Sequence, residues 1–401
     1  MAQALVRDRP DDWKLSGLLG IAFGHGVNDF FSGTVALTIF FVATNAGLSP
    51  WYQGAVGFLW YLTSSIVQPF FGAYTDRHGR WWFMPAGVLL VVVSISFASL
   101  ATSLWSLAAL VVAGGLGSAI VHPEAGKYAA LLSGARKSGG ISIFQIGGSL
   151  GFALGPVTIA ALIAHLGRNA SFALLGPGLL AAAYVFFTVR RAHGLAAPRP
   201  HAPAARDRAG GPVDYLAIAL VVGSTAIRFL TTAAFMTYLP NLLTARGGSL
   251  EDAGRLVTAF LLVSIVGMYL GGYLGDRLGS ITASVVALAA AVPCLAGFFF
   301  APQPEALALL LFGSVLLAVQ NAPGVVIVQS LLPRNLGMAL GLINGVAFGA
   351  GSALVTLVGL AVTRYGAQTA LLDASLLPLL GAAAYAVVAR RLAPAPAAAG
   401  R

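Results

Sequence analysis

Twelve stretches of about 20 or more mostly apolar residues recur along this sequence, set apart by short runs of charge, glycine or proline. As a helix, each is long enough to cross a hydrocarbon core ~30 Å thick. They fall near 15–43, 51–74, 80–101, 104–132, 137–165, 169–190, 214–243, 252–275, 279–300, 304–331, 335–363 and 367–391. In lipid the backbone must satisfy its own polar groups, so every stretch is predicted helical and the fold class is an all-α membrane protein. Composition agrees: 58% of residues are apolar and 9% charged, against about a quarter charged in soluble domains. The formal charge of +10 is spread over short loops and a linker without interleaved aromatics, which argues against a nucleic-acid partner. The lone Cys294 excludes an intrachain disulfide. No small-residue cleavage site precedes the first span, so a removed signal peptide is not expected.

An even number of spans puts both termini on one side. Lys14, Arg77, Arg80, Lys127, Arg190, Arg277 and most other basic residues fall on that side, while Arg168, Arg246, Arg255 and Arg364 face the other. The positive-inside bias predicts cytoplasmic termini. The chain divides into an N-terminal tail (1–14), a first six-helix bundle (15–190), a linker rich in Pro, Ala and Arg (191–213), a second bundle (214–391) and a low-complexity tail (392–401). The two halves repeat each other. GAYTDRHGR at 72–80 answers GYLGDRLG at 272–279, and the same offset aligns Pro123 with Pro323 and Asn28 with Arg228. Two bundles of six helices related as parallel repeats are the organisation of a secondary transporter.

On these residues the chain resembles the major facilitator superfamily. Gly72, Asp76, Arg77, Gly79 and Arg80 match that superfamily's G-x-x-x-D-R-x-G-R loop, which recurs in weaker form around Asp276 and Arg277. Within it, GHGVNDFFSG (24–33), VHPEAGKYAALL (121–132) and ISIFQIGGSLGFALGP (141–156) resemble the fosmidomycin-resistance group of bacterial efflux proteins. Gly151-x-x-x-Gly155-Pro156 resembles the core of the antiporter signature, without its trailing glycines. The resemblance implies a bacterial inner-membrane exporter driven by protons, with spans 1, 4, 7 and 10 lining a central cavity. It also places spans 5 and 8 where the bundles meet, so the columns Gly147/Gly151/Gly155 and Gly267/Gly271/Gly275 are expected to be smooth sliding faces.

The polar groups buried deep in the spans fall on those four helices. Span 1 holds His25, Asn28 and Asp29, span 4 holds His122 and Glu124, span 7 holds Arg228, and span 10 holds Gln320 and Asn321. A carboxylate at a helix centre costs about 3 kcal/mol on insertion scales, so Asp29 is expected to face a protein or water-filled interior. Asp29 is the first candidate for the proton carrier and Glu124 the second, with a Glu124–Lys127 ion pair as the structural alternative for the latter. Arg228 stays charged and offers a planar, bidentate donor to carboxylate or phosphonate, or else serves as counter-ion to one of the acids. His25, Asn28, His122, Gln145, Gln320 and Asn321 are further candidate substrate contacts, with Asn344 a secondary one. Asp76, Arg77, Arg80, Asp276 and Arg277 are candidates for a conformational latch at the cytoplasmic surface. His25, His122, Asp29 and Glu124 also permit a metal-site reading; no metal or other cofactor is expected, because their spacings match no ligand motif.

The function these residues support is proton-coupled efflux of a small polar or anionic drug or metabolite by a monomer that alternates access across the bilayer. Uptake of an organic anion uses the same residues in the other direction, and an intramembrane metal-dependent enzyme is the remote alternative.

Overall fold

A computed structural model describes residues 14–78, 80–133, 137–195, 213–332, 338–339 and 341–392 of the protein. The side chains of Asp76 and Asn344, together with Gly79, nearly all of both tails and the linker from residue 196 to 212, lie outside the described residues. Everything described is helix or short connection. The helices are α1 (Leu15–Asn45), α2 (Pro50–Tyr61), α3 (Gln68–His78), α4 (Phe83–Ser96), α5 (Leu104–Leu132), α6 (Lys137–Leu166), α7 (Leu175–Leu195), α8 (Tyr215–Ala245), α9 (Leu250–Leu278) and α10 (Ser280–Gly297). They continue with α11 (Glu305–Val319), α12 (Asn321–Leu331), α13 (Phe348–Tyr365), α14 (Ala367–Leu376) and α15 (Pro378–Leu392). Among the described residues eleven helical stretches are long and apolar enough to cross a membrane. The second of the twelve crossings falls outside that count because it is in three pieces.

That second crossing departs from the expected uniform helix. After α2 the backbone widens into a π-helix at Leu62–Ile66 and bends at Val67 before α3. Pro69, which lacks an N–H, sits in the first turn of α3, where no intrahelical donor is required. The tenth crossing breaks at Gln320, between α11 and α12, and the eleventh opens with a π-helix at Gly341–Ala347. α7 runs past the linker start read at 191 and ends at Leu195, with Ala192 in that stretch buried.

The chain divides into two compact units, one over 14–42 and 67–195, the other over Ala43–Ile66 and 213–392. The first part of span 2 thus packs with the helices of the second unit. The Tyr238 hydroxyl of α8 donates towards the carbonyls of Pro50 (3.4 Å) and Val355 (3.2 Å), tying α2 to α13. A Cβ on Gly54 or Gly359 would collide with that hydroxyl, so both glycines are needed for the approach.

The repeat seen in sequence extends to backbone detail. α1 and α8 each have 31 residues and start 200 positions apart. Each ends in a left-handed glycine, Gly47 (φ 64°) and Gly247 (φ 84°). In both turns the next amide returns to a carbonyl five residues back, Leu48 to Ala43 and Gly248 to Leu243. Such endings satisfy the last carbonyls of a helix, and glycine takes positive φ at least cost. Serines then open the following helices, with Ser249 and Asp252 forming a reciprocal capping box on α9. At the other edge of unit 2, Asp214 caps α8 through the Ala217 amide (3.0 Å) and pairs with Arg391 at 3.0 Å. The Arg391 guanidinium, and then that amide, hold the Asp214 carboxyl below the usual aspartate range.

The glycine columns face helices of their own units. Gly147, Gly151 and Gly155 lie on the backbone of α1 in their own unit, where added Cβ atoms would press on the carbonyls of Ala22, Gly26 and Phe30. In the other unit Gly267 and Gly271 lie on the carbonyls of Val315 and Val319 of α11. Four-residue spacing gives close approach, as expected, and the approach is a seam inside each unit. Gly151→Val is therefore expected to abolish most of the monodisperse protein recovered on fluorescence-detected size exclusion. Gly223→Ala, where nothing lies within 4 Å of the new methyl, should leave recovery unchanged; equal recovery of the two variants would contradict the seam.

Candidate functional site

The glycine seam sets the first unit's polar cluster. By bringing α6 against α1 it puts the Phe144 carbonyl 2.9 Å from His25 Nδ1 and stacks the Phe144 ring on the imidazole, centroids 4.0 Å apart. His25 and Asp29 are one turn apart and share a face; His25 Nε2 lies 3.2 Å from Asp29 Oδ2. From α5, His122 brings its own Nε2 to 3.3 Å from Asp29 Oδ1, while its Nδ1 is 2.9 Å from the Ser118 carbonyl. Asn28 donates to Asp29 Oδ1 at 2.8 Å and to Ser118 Oγ at 3.2 Å. The two rings meet edge to face at 5.1 Å.

This geometry fixes protons. A carbonyl oxygen only accepts, so the Nδ1 atoms of His25 and His122 both carry hydrogen. Each Nε2 then faces a carboxylate oxygen, and an attractive contact requires a proton between them. Asp29 is thus held between two imidazoles that can each take or give up a proton on the carboxylate side. Gly148 of α6 closes the cluster from above: a Cβ there would lie 2.6 Å from Asp29 Oδ2 and against the His25 ring.

Three of the four groups of the metal reading do converge, with ligand atoms of His25, Asp29 and His122 within 4.8 Å of one another. Glu124, the fourth, does not join them. It is buried two positions after His122 on α5 and accepts a 2.9 Å bond from Lys127, which also donates to Thr75 Oγ1 at 2.8 Å. The two imidazoles are each set on a separate oxygen of the one carboxylate. Gln145 is exposed on α6 and takes part in none of its hydrogen bonds.

In the second unit Arg228 is 5% exposed in the middle of α8, and its Nε and Nη2 atoms have no acceptor. Among the described residues no carboxylate pairs with it, so the counter-ion reading finds no support. Its guanidinium carbon is 5.8 Å from the centroid of the Phe348 ring, which stacks on Phe229. In the same unit Gln320 is wholly buried at the break between α11 and α12. Its Nε2 donates to Thr225 Oγ1 (3.0 Å) and to Tyr385 Oη (2.6 Å). Asn321 bonds the Ala318 carbonyl at 2.8 Å and so secures the helix break locally. Of the latch candidates, Arg77, Arg80, Asp276 and Arg277 are exposed, and Arg277 lies over the ring of its neighbour Tyr273.

Sequence reading missed Ser118, Phe144, Thr225 and Tyr385. Ser118 stands one turn before His122, so helical spacing could have found it; Phe144 acts through a carbonyl that no side-chain pattern reveals.

A profile described as Major Facilitator Superfamily matches residues 21–355 and again 221–401. The fosmidomycin resistance protein of Escherichia coli (strain K12) is 27% identical over 372 residues, covering 91% of both chains. An uncharacterised transporter of the Major Facilitator type from Bacillus subtilis (strain 168) is 27% identical over 385 residues, covering 92% of this chain and 91% of that one. Among solved structures, a bacterial homologue of the human lysosomal transporter Spinster, inward-facing and occupied, superposes with a TM-score of 0.74 at 16% identity over 96% of this chain and 99% of that one. A nucleoside transporter, solved as a point mutant, gives 0.73 at 14% identity, with 94% and 100% covered. At these identities the structural likeness concerns the fold.

Gly148→Ala should displace the cluster without unfolding the unit. In ¹⁵N-histidine NMR the His25 resonances are expected to shift, with the thermal midpoint little changed; Gly126→Ala, beside which nothing lies within 4 Å, should leave them in place. Unmoved His25 signals in Gly148→Ala would refute the described packing.

Proposed function

Because this chain belongs to the Major Facilitator Superfamily, whose members carry small molecules across membranes, we propose that it is a proton-coupled exporter of a small polar or anionic compound. The observation that carries this reading is the pair of imidazoles closing on Asp29 inside a membrane helix. A buried carboxylate bridged by two groups that exchange protons is suited to loading a proton from one side and releasing it to the other. Glu124 is the second acid of the pathway, and its bond to Lys127 supplies the charge compensation it needs when ionised. The exporting direction is supported by the name of the fosmidomycin resistance relative and by no feature of the site, since coupling sets the thermodynamics and gradients set the flux.

Arg228 supports an anionic substrate group. An unpaired cation in a membrane interior is costly, and a guanidinium forms two parallel bonds to a carboxylate or phosphonate. The proton site then lies in the first unit and the substrate cation in the second. Arg77, Arg80, Asp276 and Arg277, with Asp76, act in this reading as a latch at the cytoplasmic surface. Both termini are cytoplasmic, the membrane is the bacterial inner membrane and the working form is a monomer.

The test is flux of a panel of candidate compounds in proteoliposomes with an imposed pH gradient. Asp29→Asn should fold and lose gradient-driven flux by at least about a hundredfold, because an amide cannot cycle a proton. Persistence of flux at the unmodified rate would remove Asp29 from the pathway, and Glu124→Gln would then show whether the second acid carries the proton.

A further inference from the structure

Two orphaned polar groups of opposite character lie in the same part of the second unit. Arg228 supplies two buried N–H donors without acceptors, and Gln320 supplies one buried acceptor, Oε1, without a donor. The orientation of the Gln320 amide decides what that oxygen offers, and the network fixes it. Thr225 donates its hydroxyl hydrogen to the Val221 carbonyl, 2.9 Å away. Towards Gln320 it can therefore only accept, which puts the amide nitrogen on Thr225. Both amide hydrogens are then used, by Thr225 and Tyr385, and Oε1 is turned away from them with its lone pairs unbonded.

Thr225 and Arg228 are three residues apart on one face of α8, and Tyr385 lies within electrostatic range of Arg228. Leaving a buried acceptor unmade costs its full desolvation, as does leaving a buried guanidinium unmatched. A plain carboxylate or phosphonate answers only half of this arrangement: it satisfies the donors of Arg228 and brings nothing to Oε1. Building on the reading of Arg228 as an anion site, we propose that the ligand is a small acid that carries its own hydrogen-bond donor, a hydroxyl or N–H group, beside the anionic group. Arg228 takes the acid and Gln320 takes the donor. Tyr385 is a positioning residue, holding the amide so that its oxygen faces the ligand.

Isothermal titration of the full-length protein in lipid nanodiscs tests this with two matched pairs of probes, hydroxymethylphosphonate against methylphosphonate and glycolate against acetate. The hydroxylated member of each pair should bind about tenfold more tightly, the difference one net hydrogen bond makes. In Gln320→Met that ratio should fall to near one with methylphosphonate affinity retained. Tyr385→Phe, which removes the acceptor that orients the amide, should lower the ratio but keep it above one, with methylphosphonate affinity retained; a ratio as high as that of the unmodified protein would overturn the positioning role of Tyr385. Gln320→Leu provides a second acceptor-less side chain if the first aggregates on size exclusion. Equal binding of both members by the unmodified protein, with both lost in Arg228→Gln, would overturn the donor requirement and leave the anion site standing. Binding of neither member, or binding indifferent to Arg228→Gln, would overturn both. A ratio that survives in Gln320→Met and Gln320→Leu would assign the donor to another acceptor and overturn the role given to Gln320.

Discussion

The contact on which the first unit depends is backbone against backbone, where Gly147, Gly151 and Gly155 of α6 meet α1 at Ala22, Gly26 and Phe30. Side chains of any size would part the helices by some ångströms. The Phe144 carbonyl would then no longer reach His25, and Gly148 would no longer lid the Asp29 carboxylate. A buried acid in a membrane helix tolerates little such loosening, since each lost hydrogen bond leaves a polar group in a medium that offers no substitute. Close packing, usually a matter of stability alone, here sets the hydrogen positions of the polar cluster.

Much of this was legible in the sequence because it follows from local physics. Span existence, the 104–132 helix with its internal Pro123, and the 200-residue repeat all rest on hydrophobic runs and turn residues; the structure returns that helix, and α8 begins 200 positions after α1. His25 and Asp29 share a face by helical geometry alone. What spacing could not give was the identity of a neighbour. Glycines four apart announce that some backbone comes close, yet the sequence cannot say which helix it belongs to, and the seam proved to lie within a unit. The bridge from His122 to Asp29 was equally invisible, since it joins α1 to α5 between residues far apart in the chain.

Some features escaped because their residue types carry no signal. Thr225 and Tyr385 look like ordinary span residues, and only their bonds to Gln320 mark them. The π-helix and bend of the second crossing were hidden in the same way. LTSSIVQP carries no glycine and only one proline, at its end, so it passes as continuous helix; the π-helix at Leu62–Ile66 ends where the chain crosses from one unit to the other.

The two units share one plan and differ in how their central charge is met. In the first, Asn28 is followed by an acid, and two histidines and an amide surround it within the same unit. At the matching place in the second stands Arg228, with an aromatic face on one side and no acid partner among the described residues. Had the arginine been retained for stability alone, a carboxylate partner would be expected beside it, because an unmatched buried cation costs more than a matched pair or an apolar replacement. A site that must bind and then release an anion cannot keep such a partner permanently, since the partner would compete with the ligand for the same hydrogens. In the proposed reading the asymmetry is a division of labour between the units: one would hold protons through groups that exchange them, and the other would leave a fixed charge to be answered by the ligand.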